Sequence, residues 1–518
     1  MIQTAKYPIG LQSFAKVREG GYKYVDKTKF IWQLDQTGKY YFLSRPRRFG
    51  KSLFISTLEA YFTGRRDLFE GLEISEYEKE WIEYPVLHLD LNTGRFDSGG
   101  SLDEALRIFI NTYAHRYAVK VDHKVETAYQ FGQLIREIAT VTGQNVVILV
   151  DEYDKPLLNA IGDERRYADY QQTLKAFYGN LKSCDQYIRF AMLTGVARFG
   201  KVSIFSDLNN LNDISLNSAY GDICGIAEDE LEANFGNSIA ALAAFRGESV
   251  EETSRLLKAN YDGYHFADPH YAKGVYNPFS ILSCFYENRF SDYWFETGTA
   301  SILLKPAIAR GLDITELGNI EVSEVELRGV NTPADNPISL LYQTGYLTIK
   351  AYDDLTRTYT LGFPNNEVRR GFDSVTFQIM GQADANEFSV RRFLQDLRKG
   401  DPQGFMQRLQ ALFANMPHEQ ARYTEATYNN VLYVLFSLLG FMTGSETHSS
   451  HGVSDLYVKT DKNIFLFEFK TDGTAQDALD QIENRHYDWP FRADGRAVVK
   501  IGVKFSKTDR NITDWKIA

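Results

Sequence analysis

The sequence has little cysteine and no hydrophobic run long enough to cross a membrane. Its three cysteines, Cys184, Cys224 and Cys284, are widely spaced and form no C-x-x-C pair, so they predict buried thiols in a reducing compartment. The stretch VLYVLFSLLGFMTG (431–444) is shorter than the ~20 residues that cross a bilayer and favours a core helix. The N-terminus lacks a basic region followed by an apolar run. We therefore expect no signal peptide, no membrane contact and a cytoplasmic protein.

The chain also lacks an excess of positive charge, since its formal net charge is −11. This acidity argues against a nucleic-acid coat protein. It permits a local basic groove, or a nuclease in which metal ions supply the positive charge. No internal repeat or low-complexity segment stands out in the sequence. With 518 residues, 44% hydrophobic and 14% aromatic, the chain is expected to form roughly two to four domains with large cores.

Apolar strand-like segments alternate with helical patterns in the first part of the chain. The run VVILV (146–150) is continuously apolar and is followed by acids, as expected of a buried parallel strand. Strands separated by helical patterns indicate a parallel sheet with crossover helices, so the predicted fold class is α/β. The strand-like segments are KYYFLS (39–44), YPVLHLDL (84–91), NVVILVDEYD (145–154) and YIRFAMLTGVA (187–197).

The rest of the chain begins with a helical pattern. Residues 336–372 then show the order helix, strand, polar turn, strand, helix, which is typical of a winged-helix unit. A further helical stretch, 381–425, leads into a separate α/β unit. The predicted domains are a P-loop core at 1–225, a helical lid at 226–330, a winged-helix-like segment at 331–400 and a last α/β domain at 401–518.

The segment SRPRRFGKSL (44–53) ends like a phosphate-binding loop and lies between a predicted strand and a predicted helix. The pattern G-x-x-x-x-G-K-[ST] fails only at its first glycine, which Arg45 replaces. Lys51 is placed to reach the β- and γ-phosphates of a nucleotide, and the Ser52 hydroxyl to hold Mg²⁺. A basic surface turn before a helix is the alternative interpretation.

Two further elements favour nucleotide binding. Asp151 and Glu152 end an apolar strand at the sheet edge where ligands bind, so we expect Asp151 to bind Mg²⁺ and Glu152 to orient and deprotonate the attacking water. Thr194 ends another predicted strand and would sense the γ-phosphate or position the water. Arg198 would supply transition-state charge, within the chain or across a subunit boundary. The alternatives are a helix N-cap with a first-turn acid at 151–152 and a solvated loop arginine at 198.

The loop arginines would provide charge and N–H donors that a glycine-rich loop provides from its backbone. Pro46 fixes one φ angle and Arg45 resists left-handed conformations, so this loop is less flexible than a glycine loop. We therefore expect slow hydrolysis, or a nucleotide that acts mainly as a structural or switching ligand. The predicted nucleotide-binding residues are Arg45, Arg47, Arg48, Gly50, Lys51, Ser52, Leu53, Asp151 and Thr194.

A second group of charged residues lies in HGVSDLYVKTDKNIFLFEFKTD (451–472). Asp455 opens one predicted strand, and in the next strand the period of two places Glu468 and Lys470 on the same face. The spacing D…E-x-K is that of PD-(D/E)XK nucleases. Asp455 and Glu468 would bind Mg²⁺, while Lys470 would orient water and neutralise charge. A salt bridge between Glu468 and Lys470 on a solvated strand face is the alternative.

Residues around this pattern complete the predicted site. Gln481 and Tyr487, in DQIENRHY, resemble the helix in which the PD-(D/E)XK superfamily often places a glutamine motif. An upstream acid often joins such a site from the first helix. Glu425 is the best candidate for this additional metal ligand, and Glu446 is another.

Six segments together resemble the bacterial AAA-ATPase-like family whose members carry a C-terminal PD-(D/E)XK nuclease-like domain. The string RPRRFGKS (45–52) is the most specific, because an arginine-rich loop replaces the glycine-rich one in that family. The resemblance implies a P-loop ATPase core with a helical lid and a winged-helix-like tail, and it implies ATP and Mg²⁺ at Lys51, Ser52 and Asp151. The segments are YPIGLQSFAKVREGGYKYVDKTKFI, FLSRPRRFGKSL, VVILVDEYDKPLL, LTGVARFGKVSIFSDLNNL, YDGYHF and VYNPFSIL.

These patterns predict an ATP-regulated, Mg²⁺-dependent nuclease that acts on DNA, or on RNA, with an ATPase module and a restriction-endonuclease-like module. The resemblance implies a role in mobile-element biology or in defence against foreign DNA. Arg198 acting in trans would require a homo-oligomer. The alternative is a nucleotide-dependent switch that binds nucleic acid or protein partners without cleaving them. A small-molecule kinase is disfavoured because nothing downstream looks like an acceptor site.

Overall fold

The computed structural model describes residues 6–94, 96, 101–198, 210–295, 314, 317–328, 337–381, 390–415, 425–443 and 456–518. The chain divides into two compact units. The first comprises Met1–Trp294 and Asn319–Asn366, and the second comprises Phe295–Gly318 and Glu367–Ala518. The predicted division into four domains is finer than this one and stays a prediction.

A parallel sheet lies at the centre of the first unit. In the described part of the chain its strands are β1 (Tyr40–Ser44), β2 (Val86–Asp90), β3 (Val146–Asp151), β4 (Ile188–Gly195) and β5 (Asn212–Asp213). Their order is β2-β3-β4-β1-β5, and every pair is parallel. Because β3 and β4 are covered on both faces, both are buried along nearly their whole length and are almost continuously apolar in sequence. The α/β fold class is confirmed.

Helices connect these strands and cover the sheet. They are α1 (Phe14–Glu19), α2 (Thr28–Thr37), α3 (Lys51–Phe62), α4 (Ile74–Tyr77), α5 (Ser101–Arg116), α6 (Thr127–Thr142), α7 (Lys155–Asn159), α8 (Glu164–Tyr178) and α9 (Asn180–Ser183). Short 3₁₀ turns occur at Arg66–Phe69, Leu91–Thr93, Asp185–Tyr187 and Ser218–Tyr220. Helix α3 follows β1 after a six-residue loop, 45–50, which gives the strand–loop–helix arrangement that a phosphate loop requires.

A helical segment follows the sheet in the first unit, as predicted. Its helices are α10 (Glu228–Arg246), α11 (Val250–Tyr261) and α12 (Pro278–Glu287), and its two short paired strands are β6 (Ile226–Ala227) and β7 (Val275–Tyr276). The three helices share one apolar core, in which Phe235, Leu242, Leu257, Ile281 and Phe285 are buried together. The predicted assignment of this segment as a helical lid stays a prediction.

The winged-helix-like segment also has the predicted order of elements. It contains β8 (Ile320–Ser323), α13 (Glu324–Arg328), α14 (Pro337–Thr344), β9 (Thr348–Asp353) and β10 (Thr358–Gly362), and the next helix is α15 (Asn366–Gly381). The three strands form an antiparallel sheet in the order β8-β10-β9. The polar turn predicted between two strands is the hairpin that joins β9 to β10.

The second unit is an α/β domain with a mixed sheet. Besides α15 it contains α16 (Val390–Arg398), α17 (Pro402–Ala414), α18 (Glu425–Thr443), β11 (Leu456–Lys459), β12 (Asn463–Lys470), α19 (Ala475–Asn484), a 3₁₀ turn (Trp489–Phe491), β13 (Ala497–Ser506) and β14 (Asn511–Ile517). The strand order is β11-β12-β13-β14, and only the β12–β13 pair is parallel among these strands. This is the restriction-endonuclease-like domain of the predicted fold.

The two faces of β12 contribute to different cores. Phe467 packs against Phe405 and Phe436 on one face, with ring centroids 5.2 and 4.9 Å apart. Ile464 and Leu466 lie on the other face in a cluster that includes α19. Helix α18 is buried over Val431–Leu439 apart from Tyr433, so the prediction of a core helix is confirmed. Within the described ranges, no helix is long and apolar enough to cross a membrane.

Candidate functional site

The phosphate loop has the backbone shape of an anion cradle. Arg48 and Gly50 have φ angles of 70° and 99°, both in the left-handed region. Gly50 caps α3 without a side-chain hydrogen bond, and a Cβ built on it would meet no atom within 4 Å. The first N–H groups of α3 lack intrahelical acceptors, and such groups bind anions at helical phosphate sites. Ser52 lies in that first turn and is half-buried.

Arg45 is a structural cation inside the first unit. Its side chain is 1% exposed, and its guanidinium donates to the carbonyl oxygens of Ser44 and Ser215 at 2.9 Å and of Tyr220 at 2.8 Å. It also lies 4.3 Å from the ring centroid of Phe266. Burial lowers the pKa of Arg45 to about 10. The guanidinium is thus held by carbonyl oxygens of its own unit, and its predicted contact with a nucleotide stays a prediction.

The other two loop arginines lie closer to the surface. Arg47 is half-buried, and its carbonyl oxygen accepts a hydrogen bond of 2.9 Å from the indole of Trp294. Arg48 is exposed, and its guanidinium carbon lies 4.7 Å from the ring centroid of Phe279. Both side chains remain candidates for nucleotide contacts, because among the described residues neither is bound by a set of carbonyl oxygens like that around Arg45.

Lys51 is buried at the start of α3, with 3% of its surface exposed. Its ammonium lies 3.3 Å from the carbonyl oxygen of Pro46 and 3.5 Å from a carboxylate oxygen of Glu152. The amine therefore lies between the loop and the acids that follow β3. A basic surface turn, the alternative interpretation of this segment, is wrong for Lys51 because the side chain is not solvated.

Asp151 and Thr194 meet at the carboxyl ends of β3 and β4, which are paired in parallel. The hydroxyl of Thr194 donates a 2.6 Å hydrogen bond to Oδ1 of Asp151, and both side chains are buried. Glu152 has a φ of 54°, a left-handed conformation that is uncommon outside glycine, asparagine and aspartate. This turn directs its carboxylate towards Lys51.

Arg198 lies beyond β4 and is 6% exposed, so the alternative of a solvated loop arginine is wrong. Its guanidinium donates a 2.7 Å hydrogen bond to Asp213, and its backbone N–H donates one of 2.7 Å to Gln343. Burial opposes the ionisation of Asp213, but the charge of Arg198 and hydrogen bonds from Ser215 outweigh it and lower the pKa of Asp213. Arg198 is thus fixed by residues of its own unit, and its predicted role in transition-state charge stays a prediction.

A second site lies at the carboxyl end of β12. Glu468 is completely buried, whereas Lys470 is half-buried, and their charged groups are 3.4 Å apart. The amide of Gln481, on α19, connects them: its oxygen accepts from Lys470, and its nitrogen donates to Glu468 at 2.6 Å. The same nitrogen lies 3.3 Å from the hydroxyl of Tyr487. An ion pair exists, but Glu468 is not on a solvated face, so the alternative interpretation fails for this residue.

The other predicted residues of this site lie outside what the structure describes. Asp455 and Glu446 belong to undescribed segments, and Glu425 is described only as the first residue of α18. Within the described part of the chain, no group of three or more histidine, cysteine, aspartate or glutamate side chains is placed to hold a metal ion. The metal-ligand set predicted around Glu468 therefore stays a prediction.

Comparison with known proteins places both sites in domains of recognised families. Residues 8–205 match the family described as "Predicted AAA-ATPase", and residues 423–515 match the PD-(D/E)XK nuclease superfamily. A protein of Azotobacter chroococcum mcd 1, described as "Uncharacterized protein in vnfD 5'region", is 34% identical over 524 residues, which cover 99% of this chain and 98% of the relative. The chain belongs to this AAA-ATPase-like family with a C-terminal PD-(D/E)XK nuclease domain. The family recognised in the sequence is confirmed.

The AAA-ATPase-like domain contains a buried acid that sequence reasoning missed. Asp154 is fully buried, and its Oδ2 accepts backbone hydrogen bonds from Val196 at 3.0 Å and Ala197 at 2.6 Å. It thereby connects the turn after β3 to the turn after β4. Burial and the nearby charge of Glu152 raise the pKa of Asp154 to about 7. The only sequence signal was a third acid in DEYD (151–154), which a surface turn would also produce.

The same domain has a mainly apolar pocket beside the phosphate loop, which the sequence did not reveal. Gly50 and Leu53 contribute to it from the loop and α3, so the predicted binding residue Leu53 lies here. Its walls come from segments far apart in sequence, which include Val25, Ile223 and Leu282. Such a pocket next to a phosphate cradle has the chemistry needed for a flat heterocycle.

Proposed function

We propose that this protein is an ATP-regulated, Mg²⁺-dependent nuclease that acts on DNA, or on RNA. The observation that carries the proposal is the chain of contacts from Lys470 through Gln481 to the fully buried Glu468. A buried carboxylate is costly unless it is paired or binds a cation, and here it shares a strand face with a lysine. This arrangement of side chains favours a role in phosphodiester hydrolysis over a purely structural role.

The nucleotide site fits a triphosphate with Mg²⁺. Lys51 and the N–H groups of the first turn of α3 would hold the phosphates, and Ser52 and Asp151 would hold the metal ion, which would neutralise phosphate charge. Thr194 orients the Asp151 carboxylate through its 2.6 Å hydrogen bond. Glu152, now 3.5 Å from Lys51, would act on the attacking water. The apolar pocket at Gly50 and Leu53 would receive the base.

At the second site Glu468 would be a metal ligand, and Mg²⁺ would supply a Lewis acid for the scissile phosphate. Lys470 is placed to orient the water and to neutralise charge that develops in the transition state. Gln481 acts on both residues, because one amide accepts from the ammonium and donates to the carboxylate. Its position on α19 makes that helix part of the active site.

A cleavage assay tests the proposal. Plasmid, linear duplex and RNA are incubated with the full-length protein, with Mg²⁺ or Mn²⁺, with and without ATP. We expect cleavage that Glu468→Ala and Lys470→Ala abolish. Lys507→Ala, which removes an exposed lysine just beyond β13 in the same unit, should leave it unchanged. Metal-independent binding without cleavage would instead support the nucleotide-dependent switch. Cleavage that survives in both active-site variants would exclude this site.

A further inference from the structure

An exposed aromatic stack follows helix α19. The rings of His486 and Trp489 are stacked, with centroids 4.1 Å apart and planes 14° from parallel. Trp489 is 52% exposed, which is unusual for so large an apolar side chain. The guanidinium carbon of Arg492 lies 4.9 Å from the centroid of the Trp489 ring. His486 holds a left-handed φ of 56°, so the backbone is constrained at the residue that completes the stack.

The stack is attached to the core of the second unit. Trp489 begins a 3₁₀ turn whose last residue, Phe491, is buried. Phe491 packs against Tyr457 with ring centroids 5.0 Å apart and belongs to the cluster that contains Ile464 and Leu466. Pro490 lies within the turn and fixes its φ angle. The exposed rings are therefore carried on a rigid support, which an aromatic binding surface requires.

The stack is also continuous with the proposed cleavage site. Tyr487, between the two stacked residues in sequence, has its hydroxyl 3.3 Å from the amide nitrogen of Gln481. That nitrogen donates to Glu468 at 2.6 Å. Two contacts through Gln481 thus connect Tyr487, which lies in the same segment as the stack, to the buried carboxylate of Glu468. The segment that carries the stack therefore reaches the proposed cleavage site through the side chain of Tyr487.

We propose that His486 and Trp489 form a stacking platform for an unpaired nucleobase, so that the preferred substrate is single-stranded or has an unpaired end. This inference rests on the proposed nuclease function and specifies its substrate class. Every base has a flat π face, so stacking on aromatic residues is tolerant of sequence. Bases inside a duplex are already stacked and do not present that face. Arg485, which is exposed and precedes His486 in sequence, adds a cation for the backbone phosphates.

Binding measured without cleavage tests the platform. Fluorescently labelled oligothymidylate and a blunt duplex of equal length are titrated with the full-length protein in EDTA. We expect Trp489→Ala to weaken binding of the single strand about tenfold and to leave duplex binding within about twofold, because stacking contributes per unpaired base. Trp489→Phe should restore most of the loss. Trp515→Ala removes a tryptophan of β14 that hydrogen-bonds Gln403, and it is the matched control with no expected effect.

The outcomes separate this inference from the proposed function. Unchanged single-strand binding by Trp489→Ala, or an equal loss for both probes, overturns the platform even if the wild type cleaves nucleic acid. Selective loss in a protein that binds but does not cleave supports the platform while it removes the nuclease proposal. A wild-type protein that binds neither probe in EDTA overturns the platform, while the cleavage assay with Mg²⁺ decides the nuclease proposal. A Trp489 surface that serves a protein partner would appear as unchanged binding of both probes.

Discussion

At the scale of single residues, the phosphate loop depends on the buried guanidinium of Arg45. Arg45 donates to three carbonyl oxygens and packs on Phe266, so it joins β1 to the segments around Ser215 and Tyr220. A glycine at this position could not make these contacts. Other phosphate loops obtain their shape from glycine backbone, whereas this loop is held in shape by a buried side chain. Gly50 still provides the left-handed turn at the start of the helix.

Replacement of Arg45 should destabilise the first unit more than replacement of its neighbour. Arg45→Ala leaves buried carbonyl oxygens without donors, and Arg45→Lys cannot reproduce the planar fork, so we expect a loss of about 3 kcal/mol in the free energy of unfolding. Urea denaturation of the full chain measures it. Arg47→Ala, at a half-buried position, is the control and should cost less than about 1 kcal/mol. Equal losses for the two alanine variants would contradict the structural role of Arg45.

Asp154 predicts a pH dependence of stability with a defined sign. Its pKa is raised from 3.8 to about 7 in the folded protein, so the folded state holds this proton more tightly than the unfolded state. Its contribution to stability is therefore greatest in acid and falls as the pH rises from about 4 to about 7. Asp154→Asn should flatten this dependence in urea denaturation at about pH 5 and about pH 8. Asp169→Asn, on the exposed face of α8, should not. An unchanged slope in the Asp154 variant would refute the assignment.

At the scale of elements, the local sequence pattern predicted the strands, whose residues are selected by burial. It did not predict the partners of buried polar groups, which come from distant parts of the chain. The strands β3 and β4 were recognised because burial requires uninterrupted apolar residues there, and β12 because its two faces alternate. The partners of buried polar groups were not recognised. Asp213 pairs with Arg198, and Asp154 accepts backbone hydrogen bonds from the turn after β4. Neither the spacing nor the periodicity of the sequence predicts these contacts. Gln481 was found because the family pattern places a glutamine on the helix.

The close approach of α19 to β13 gives a prediction about helix placement. A Cβ on Gly502 would overlap the carbonyl oxygen of Ala475 and lie 2.7 Å from the backbone nitrogen of Leu479. Gly502→Ala should therefore push α19, with Gln481, away from Glu468. We expect loss of cleavage and a destabilisation of about 1–3 kcal/mol.

The control for this substitution lies in helix α10 of the first unit. Gly236, within α10, has open space where a Cβ would be built. Gly236→Ala should stabilise the protein by about 0.5–1 kcal/mol, because alanine loses less backbone entropy than glycine. Thermal unfolding monitored by circular dichroism distinguishes the two directions. Stabilisation by both substitutions would show that α19 does not need the close contact at Gly502.

At the scale of the whole molecule, one chain combines an AAA-ATPase-like domain with a PD-(D/E)XK nuclease domain, and the sites of the two are built on the same principle. In each, a buried carboxylate at the carboxyl end of a strand is oriented by a hydrogen bond from a neighbouring element: Thr194 acts on Asp151, and Gln481 acts on Glu468. In each, a lysine lies beside the acids. In the proposed function both centres act on phosphate groups, and the first controls the second.

Control of cleavage by nucleotide gives the prediction for the entire protein. Lys51→Ala should abolish the binding of fluorescent mant-ATP, because it removes the buried ammonium at the start of α3. The control is Lys39→Ala, at the opposite end of β1, where the lysine pairs with Asp185; this variant should still bind mant-ATP. If nucleotide regulates the nuclease, Lys51→Ala should cleave DNA at a rate that no longer responds to ATP, and Glu468→Ala should still bind mant-ATP but not cleave. Cleavage by Lys51→Ala that still responds to ATP would place the regulating nucleotide elsewhere. Loss of nucleotide binding in Glu468→Ala would contradict the assignment of separate roles to the two centres.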